Sequence, residues 1–201
     1  MLLIFVIVSL FLVTEAQRNA EVHNKCASGK MSGMQFFSEN MTLVMLRRTY
    51  NFTGKLNDSI CMKAQFSPTV YPNRTLARTF TYRNMSTRHA FNVSNITVRI
   101  WPVATFLLQF YMEDQSAAST KYNLSYVNST RLRSFFDYNL QDPSWRFKYC
   151  DDNCSVLEAL NVGSSTIDEP KCELWVRAPF GEIPDLTEWN ETHPCVMYFN
   201  E

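Results

Sequence analysis

The residues that could do chemistry crowd into the last quarter of the sequence. There Tyr149-Cys150-Asp151-Asp152-Asn153-Cys154, Cys172-Glu173-Leu174-Trp175-Val176 and His193-Pro194-Cys195 hold four of the six cysteines. Asp151 and Asp152 are neighbours in sequence. Adjacent side chains on a strand face opposite ways, so the pair suits a strand end or turn better than acid–base catalysis. Glu173 is different, because it sits between apolar residues in an alternating segment. It points either into water or into a cavity, and a carboxylate in a cavity needs a cation or hydrogen-bond donors. Trp175 shares its parity, so the two point the same way. The chain has no His-Glu-x-x-His, Gly-x-Ser-x-Gly or glycine-rich phosphate loop, so binding without turnover is expected, with no cofactor. His23, His89 and His193 show no ligand spacing with one another or with a cysteine pair, so no metal is expected.

What must position these residues begins after a processing segment. Leu2 to Val13 is almost wholly apolar, and Thr14-Glu15-Ala16 leaves small residues before a cut at Gln17. This reads as a secretory signal peptide over residues 1–16, leaving a single domain over 17–201. A signal anchor is the rival, but the apolar run is short for a bilayer. Eleven Asn-x-Ser/Thr sequons agree with a secreted, extracellular glycoprotein. Asn51, Asn73, Asn95, Asn123 and Asn190 are the expected acceptors; Asn95 shares its parity with Thr97 and Arg99, opposite Ile96, Val98 and Ile100. The formal charge is balanced at +0, which argues against nucleic-acid or electrostatic membrane partners; a monomer is expected. Six cysteines in an oxidising compartment suggest three disulfides, Cys26, Cys61, Cys150, Cys154, Cys172 and Cys195, with the connectivity open.

Period two dominates the mature chain. Thr42, Val44 and Leu46 alternate with Leu43, Met45 and Arg47, and Ile60, Met62 and Ala64 with Cys61 and Lys63. Phe80 and Tyr82 repeat the pattern, as do Ile96, Val98 and Ile100, then Trp145, Phe147 and Tyr149. Many short strands without βαβ alternation predict an all-β antiparallel sandwich or barrel. Closing the sheet removes its edges, and about eight strands can enclose one small ligand, so a barrel is favoured. Fifteen Phe, nine Tyr and four Trp against five Gly suit a pocket lined by flat faces, although any single aromatic at such a position can be plain core. Phe147 and Tyr149 join Glu173 and Trp175 as the expected ligand-lining residues.

The run Tyr149-x-Asp151-Asp152-Asn153-Cys154, then Cys172-Glu173-Leu174-Trp175-Val176, Ile183-Pro184 and Cys195-x-x-x-Phe199-Asn200-Glu201, resembles the tick salivary histamine-binding lipocalins. The specific motifs cover roughly the last fifty residues. The resemblance implies an eight-stranded lipocalin barrel with short flanking helices, and capture of host mediators such as histamine, serotonin or an eicosanoid, countering inflammation or haemostasis. It implies that Cys154 and Cys195 tie a late strand to the C-terminal segment, and that Glu173 faces inward to take a ligand's ammonium group. Two further acids of the family's amine site have no counterpart: Ser155 follows Cys154, and Ser32 stands in the N-terminal segment. Family members run on to a final cysteine that pairs with the one matching Cys61. Here the chain stops first, so either the sequence is truncated at the C-terminus or Cys61 takes another partner such as Cys26, leaving Cys150 and Cys172 to bridge neighbouring strands.

Three functions from different classes therefore stand: a scavenger of an amine or lipid mediator, a glycan-shielded inhibitor of a host defence protein with a vestigial pocket, and a barrel whose aromatics simply fill it.

Overall fold

The computed structural model describes residues 24–26, 31–50, 59–65, 68–84, 90–93, 96–99, 101–112, 125–136, 138, 140–162, 170–179, 182 and 184–200. The expected leader lies outside them. The elements in chain order are α1 (Gly33–Ser38), β1 (Thr42–Arg48), β2 (Ser59–Ala64), β3 (Thr69–Tyr71), β4 (Thr75–Asn84), β5 (Ala90–Val93), β6 (Ile96–Arg99), β7 (Val103–Met112), β8 (Ser125–Phe135), β9 (Ser144–Cys150), β10 (Cys154–Ala159), β11 (Cys172–Ala178) and α2 (Pro194–Asn200). The period-two segments have become strands, as their side chains require one face in and one face out.

The sheet runs β2-β1-β11-β10-β9-β8-β7-β4, and β2 pairs with β4 to close it into an eight-stranded antiparallel barrel. β3 extends the sheet along the lower half of β4, while β5 and β6 form a separate hairpin. The up-and-down order brings the last residues of β1, β4, β8 and β10 to one end, the mouth. The opposite end, the base, is where the chain enters from α1. α1 is a single short turn, and Ser32 caps it through a capping box with Gln35. Gly33 is needed there, because a Cβ at that position would overlap the Phe147 ring.

Two apolar layers result. Inside, Phe37 of α1 stacks on Trp145 at 5.6 Å between ring centroids and meets Phe147 edge-on at 6.0 Å. Phe80, Phe106 and Trp175 complete this interior. Outside, Val156, Leu174 and Val176 are covered by Cys195 and Val196 of α2. Among the described residues the interior aromatics pack on one another, with Phe37 against Trp145 and Phe80 and Trp145 against Trp175.

Two disulfides brace the layers. Cys26 joins Cys150, and Cys154 joins Cys195. On the chain-entropy argument, closing the 41-residue separation of the second contributes about 4 kcal/mol. The suggested Cys26–Cys61 and Cys150–Cys172 bridges are overturned. Cys150 faces inward on β9 toward Cys26, whereas β11, which carries Cys172, lies beyond β10. Cys172 carries no disulfide, and the side chain of Cys61 lies outside the described residues.

Candidate functional site

Glu173 is 2% exposed on β11, opposite Arg48 of β1 on one side and Leu157 of β10 on the other. The strand's alternation explains its setting: Leu174 and Val176 belong to the outer layer beneath α2, so Glu173 and Trp175 face the interior. The Tyr50 hydroxyl donates to Glu173 Oε1, and Trp175 Nε1 donates to Oε2 at 2.6 Å. Trp145 also acts on the carboxyl as a donor. Burial pushes this carboxyl's pKa above its ordinary range, while the Tyr50, Trp175 and Trp145 donors and the Arg48 charge pull it down. Burial and the neighbouring carboxylate together push the Tyr50 hydroxyl well above the usual phenol range, so it stays a donor. The site is thus an acid held among two indoles and a phenol, with its charged form disfavoured by burial.

A cavity of about 20 Å³ abuts Glu173, bounded by Tyr50, Met62, Leu140 and Trp145. That is room for about one water molecule. Gln141, Asp142 and Pro143 before β9 and Ala159, Asn161 and Val162 at the end of β10 complete its border. Tyr138 and Leu140, between β8 and β9, are 5% and 3% exposed, turned into the barrel. Tyr138 meets Tyr82 at 5.2 Å and Phe106 at 5.6 Å between ring centroids.

The other expected lining residues divide. Phe147 faces inward but is covered by Phe37 and by the first turn of α1. Tyr149 lies on the other face. On β9, Phe147 pairs with Leu157 and Tyr149 with Val156, so Lys148 is an extra, bulged residue and the alternation slips by one. Tyr149 therefore packs outside against Tyr198 at 5.1 Å and donates to Asp151 Oδ2 at 3.3 Å. Tyr50, Trp145, Met62 and Leu140 border the cavity beside the acid instead. Trp145 shares the parity of Phe147, so the strand pattern pointed to it; Tyr50 and Leu140 sit on connecting segments with no periodicity to reveal them.

Ser155, where the family pattern has an acid, is fully buried and donates to the Tyr149 carbonyl at 2.9 Å. Ser32 is spent on the helix cap. Asp151 and Asp152 form a turn, with Asp151 Oδ1 accepting from the Asn153 and Cys154 backbone N–H groups at 2.8 and 2.9 Å. The fold brings His193 beside Cys154 and Cys195, a proximity that sequence spacing hid. Those two sulfurs are joined in the disulfide, so the group offers no thiolate pair to an ion. Of the expected glycan acceptors, Asn73 and Asn190 are exposed, and Asn51, Asn95 and Asn123 lie outside the described residues. No described helix is long and apolar enough to cross a membrane.

Comparison with known proteins adds the family. No curated protein gives a significant match. Residues 23–185 match the family model described as tick histamine binding protein, a span that takes in every barrel strand and the acid at its mouth. The chain belongs to the tick histamine binding protein family, whose members are ligand-binding barrels rather than enzymes.

Proposed function

We propose that this chain is a secreted barrel, residues 17–201 after a leader over 1–16, that sequesters a small cationic amine such as histamine or serotonin and so blunts host inflammation. The observation that carries this reading is Glu173: a buried carboxyl supplied with donors and aromatic faces but with no cation in direct ion pairing among the described residues. An ammonium group supplies the missing charge, and Trp145, Trp175 and Tyr50 add cation–π attraction. A lipid mediator fits less well. A long acyl chain would have to displace the stack of Phe37, Phe80, Trp145 and Trp175 and would meet an acid at the mouth. The family match supports small-molecule binding.

Titration calorimetry with histamine and serotonin on the wild type and Glu173→Gln tests this directly. The substitution weakens either amine roughly a hundredfold or more, because it removes the charged partner of a desolvated ion pair. Equal affinity in both forms would contradict the role of Glu173.

A second reading, inhibition of a host protein through the barrel's outer surface, draws on the outward face of β3, β4, β7 and β8. There Tyr71, Leu132 and Phe135, each at least 45% exposed, border a groove of about 660 Å³. Asn73 follows directly in the β3–β4 turn. Mass-spectrometric mapping of glycans decides the matter: an occupied Asn73 would crowd that face and count against the reading.

A further inference from the structure

Helix α2 covers the outer face of β10 and β11, with Cys195 and Val196 against Val156, Leu174 and Val176. The outer face of β4, β7 and β8 instead carries the groove bordered by Tyr71, Leu132 and Phe135, which are 45%, 52% and 53% exposed. Strand alternation decides what lines it. Ala104 and Phe106 of β7 are buried in the interior, so Val103 and Thr105 turn outward. Phe135 and Arg133 of β8 stand opposite these two in register. Leu132 would ordinarily face away from its neighbour Arg133. The register shift between Arg131 and Arg133 makes it an extra residue, so both side chains border the groove.

Arg133 supplies the charge there. Its Nε donates to Thr105 Oγ1 at 3.2 Å, and that oxygen lies 2.8 Å from Thr79 Oγ1. Thr105 is 8% exposed, so the contact ties one edge of the guanidinium to the sheet. The two Nη groups have no partner among the described residues. Arg47, Arg131, Arg146 and Arg177, by contrast, each meet an acid. Among the described residues no acidic side chain lines the groove. A guanidinium with its outer fork unused matches a carboxylate, which it can bond through two parallel N–H groups. One fixed cation beside exposed apolar side chains therefore complements an amphiphile with a single negative charge.

The groove also sets the kind of occupant. It lies on the face of a sheet whose backbone groups are paired in the β4–β7 and β7–β8 ladders, so it offers a peptide no edge to extend. Its volume of about 660 Å³ falls within the small-molecule range of about 300–1,000 Å³. We propose that this outer groove binds a long-chain carboxylate, its head on the Arg133 guanidinium and its chain over Val103, Leu132 and Phe135. The site shares no lining residue with the cavity beside Glu173 and does not depend on the amine reading.

Titration calorimetry of the full chain with decanoate, below micelle-forming concentrations, tests the site. Arg133→Gln weakens decanoate roughly tenfold, and Phe135→Ala, which shortens the bed for the chain, roughly threefold. Both residues are exposed, so the variants keep the fold, which their melting temperatures verify. Decyltrimethylammonium, with the same chain and the opposite charge, binds the wild type more weakly than decanoate and is not weakened by Arg133→Gln. Glu173→Gln leaves decanoate binding unchanged. No decanoate binding by the wild type, or equal binding by Arg133→Gln, overturns the proposal. Loss of decanoate in Glu173→Gln places the chain inside the barrel and overturns it too. Capture of phosphatidylglycerol vesicles or a glutamate-rich peptide, or self-association in sedimentation, without decanoate binding gives the face to another occupant and has the same consequence.

Discussion

The two ends of the barrel each bury an ionisable side chain, and they do so in opposite ways. At the base Arg78 is 1% exposed, and its guanidinium donates to the carbonyls of Phe37, Glu39 and Met41. Burial lowers its pKa to about 10, and the nearby Arg177 charge adds to the effect, yet it remains a cation. Its partners are backbone carbonyls around the end of α1, and no ligand can replace them. Arg177 closes the same end, 4.6 Å over the Phe36 ring and 3.0 Å from Glu39. At the mouth Glu173 is bonded instead by side chains, Tyr50 from a connecting segment and Trp175 from its own strand. Such partners can share the acid with an incoming cation. One end is a stopper built from fixed dipoles; at the other a buried acid is bonded by side chains.

Substitutions can break or sharpen that contrast. The largest effect belongs to the base. Arg78→Ala removes three charge-assisted bonds and leaves their carbonyls buried, lowering stability by about 3–5 kcal/mol in urea denaturation. A loss under 1 kcal/mol would mean the guanidinium is not what secures α1. Gly33→Ala tests the same stopper by steric means. The added methyl meets the Phe147 ring, and overpacking of this kind costs about 1–3 kcal/mol.

At the mouth the sign reverses, because Glu173→Gln should stabilise the ligand-free protein near neutral pH. The folded-state pKa of Glu173 is raised, so the folded state holds its proton where the unfolded chain has lost it. That contribution is fully present below the ordinary carboxyl pKa and is lost as pH rises through the raised folded value. Wild-type stability therefore declines over that window, with Tyr50 and Arg48 the other titratable groups facing the acid, and the glutamine variant loses the decline. Melting temperatures across the pH range would show it, and parallel curves for the two proteins would contradict it. The smallest effect is at Phe136, just past the end of β8. Phe136→Gly relieves a left-handed φ and raises stability by about 1 kcal/mol or less, since glycine's unfolded-state freedom offsets part of the gain.

The sequence made the barrel readable because period two follows directly from a strand with one wet and one dry face. Residues 145–147 and 173–176 took the sides their alternation assigned. Alternation failed where a bulge intervenes: Lys148 sends Tyr149 outward, as Leu46 on β1 and Leu132 on β8 also break register. A bulge has no sequence signature strong enough to read from one chain. The family motif located the acid, but its neighbours Tyr50 and Leu140 come from connections, whose positions depend on closure of the whole sheet. Aromatic abundance was ambiguous for a physical reason, since rings that line a pocket and rings that fill a core occupy the same strand positions. The pairing of Cys26 with Cys150 was illegible likewise, because it depends on the inward turn that the β9 bulge gives Cys150.

Histamine titration in two buffers of different ionisation enthalpy, repeated on Glu173→Gln, bears most directly on the acid at the mouth. If a neutral Glu173 ionises to meet an ammonium group, binding to the wild type releases a proton at mildly acidic pH, and both the release and the tight binding disappear in the variant. Tight binding with no proton released, unchanged by the substitution, would show that the amine is held elsewhere and that this buried carboxyl is only part of the core.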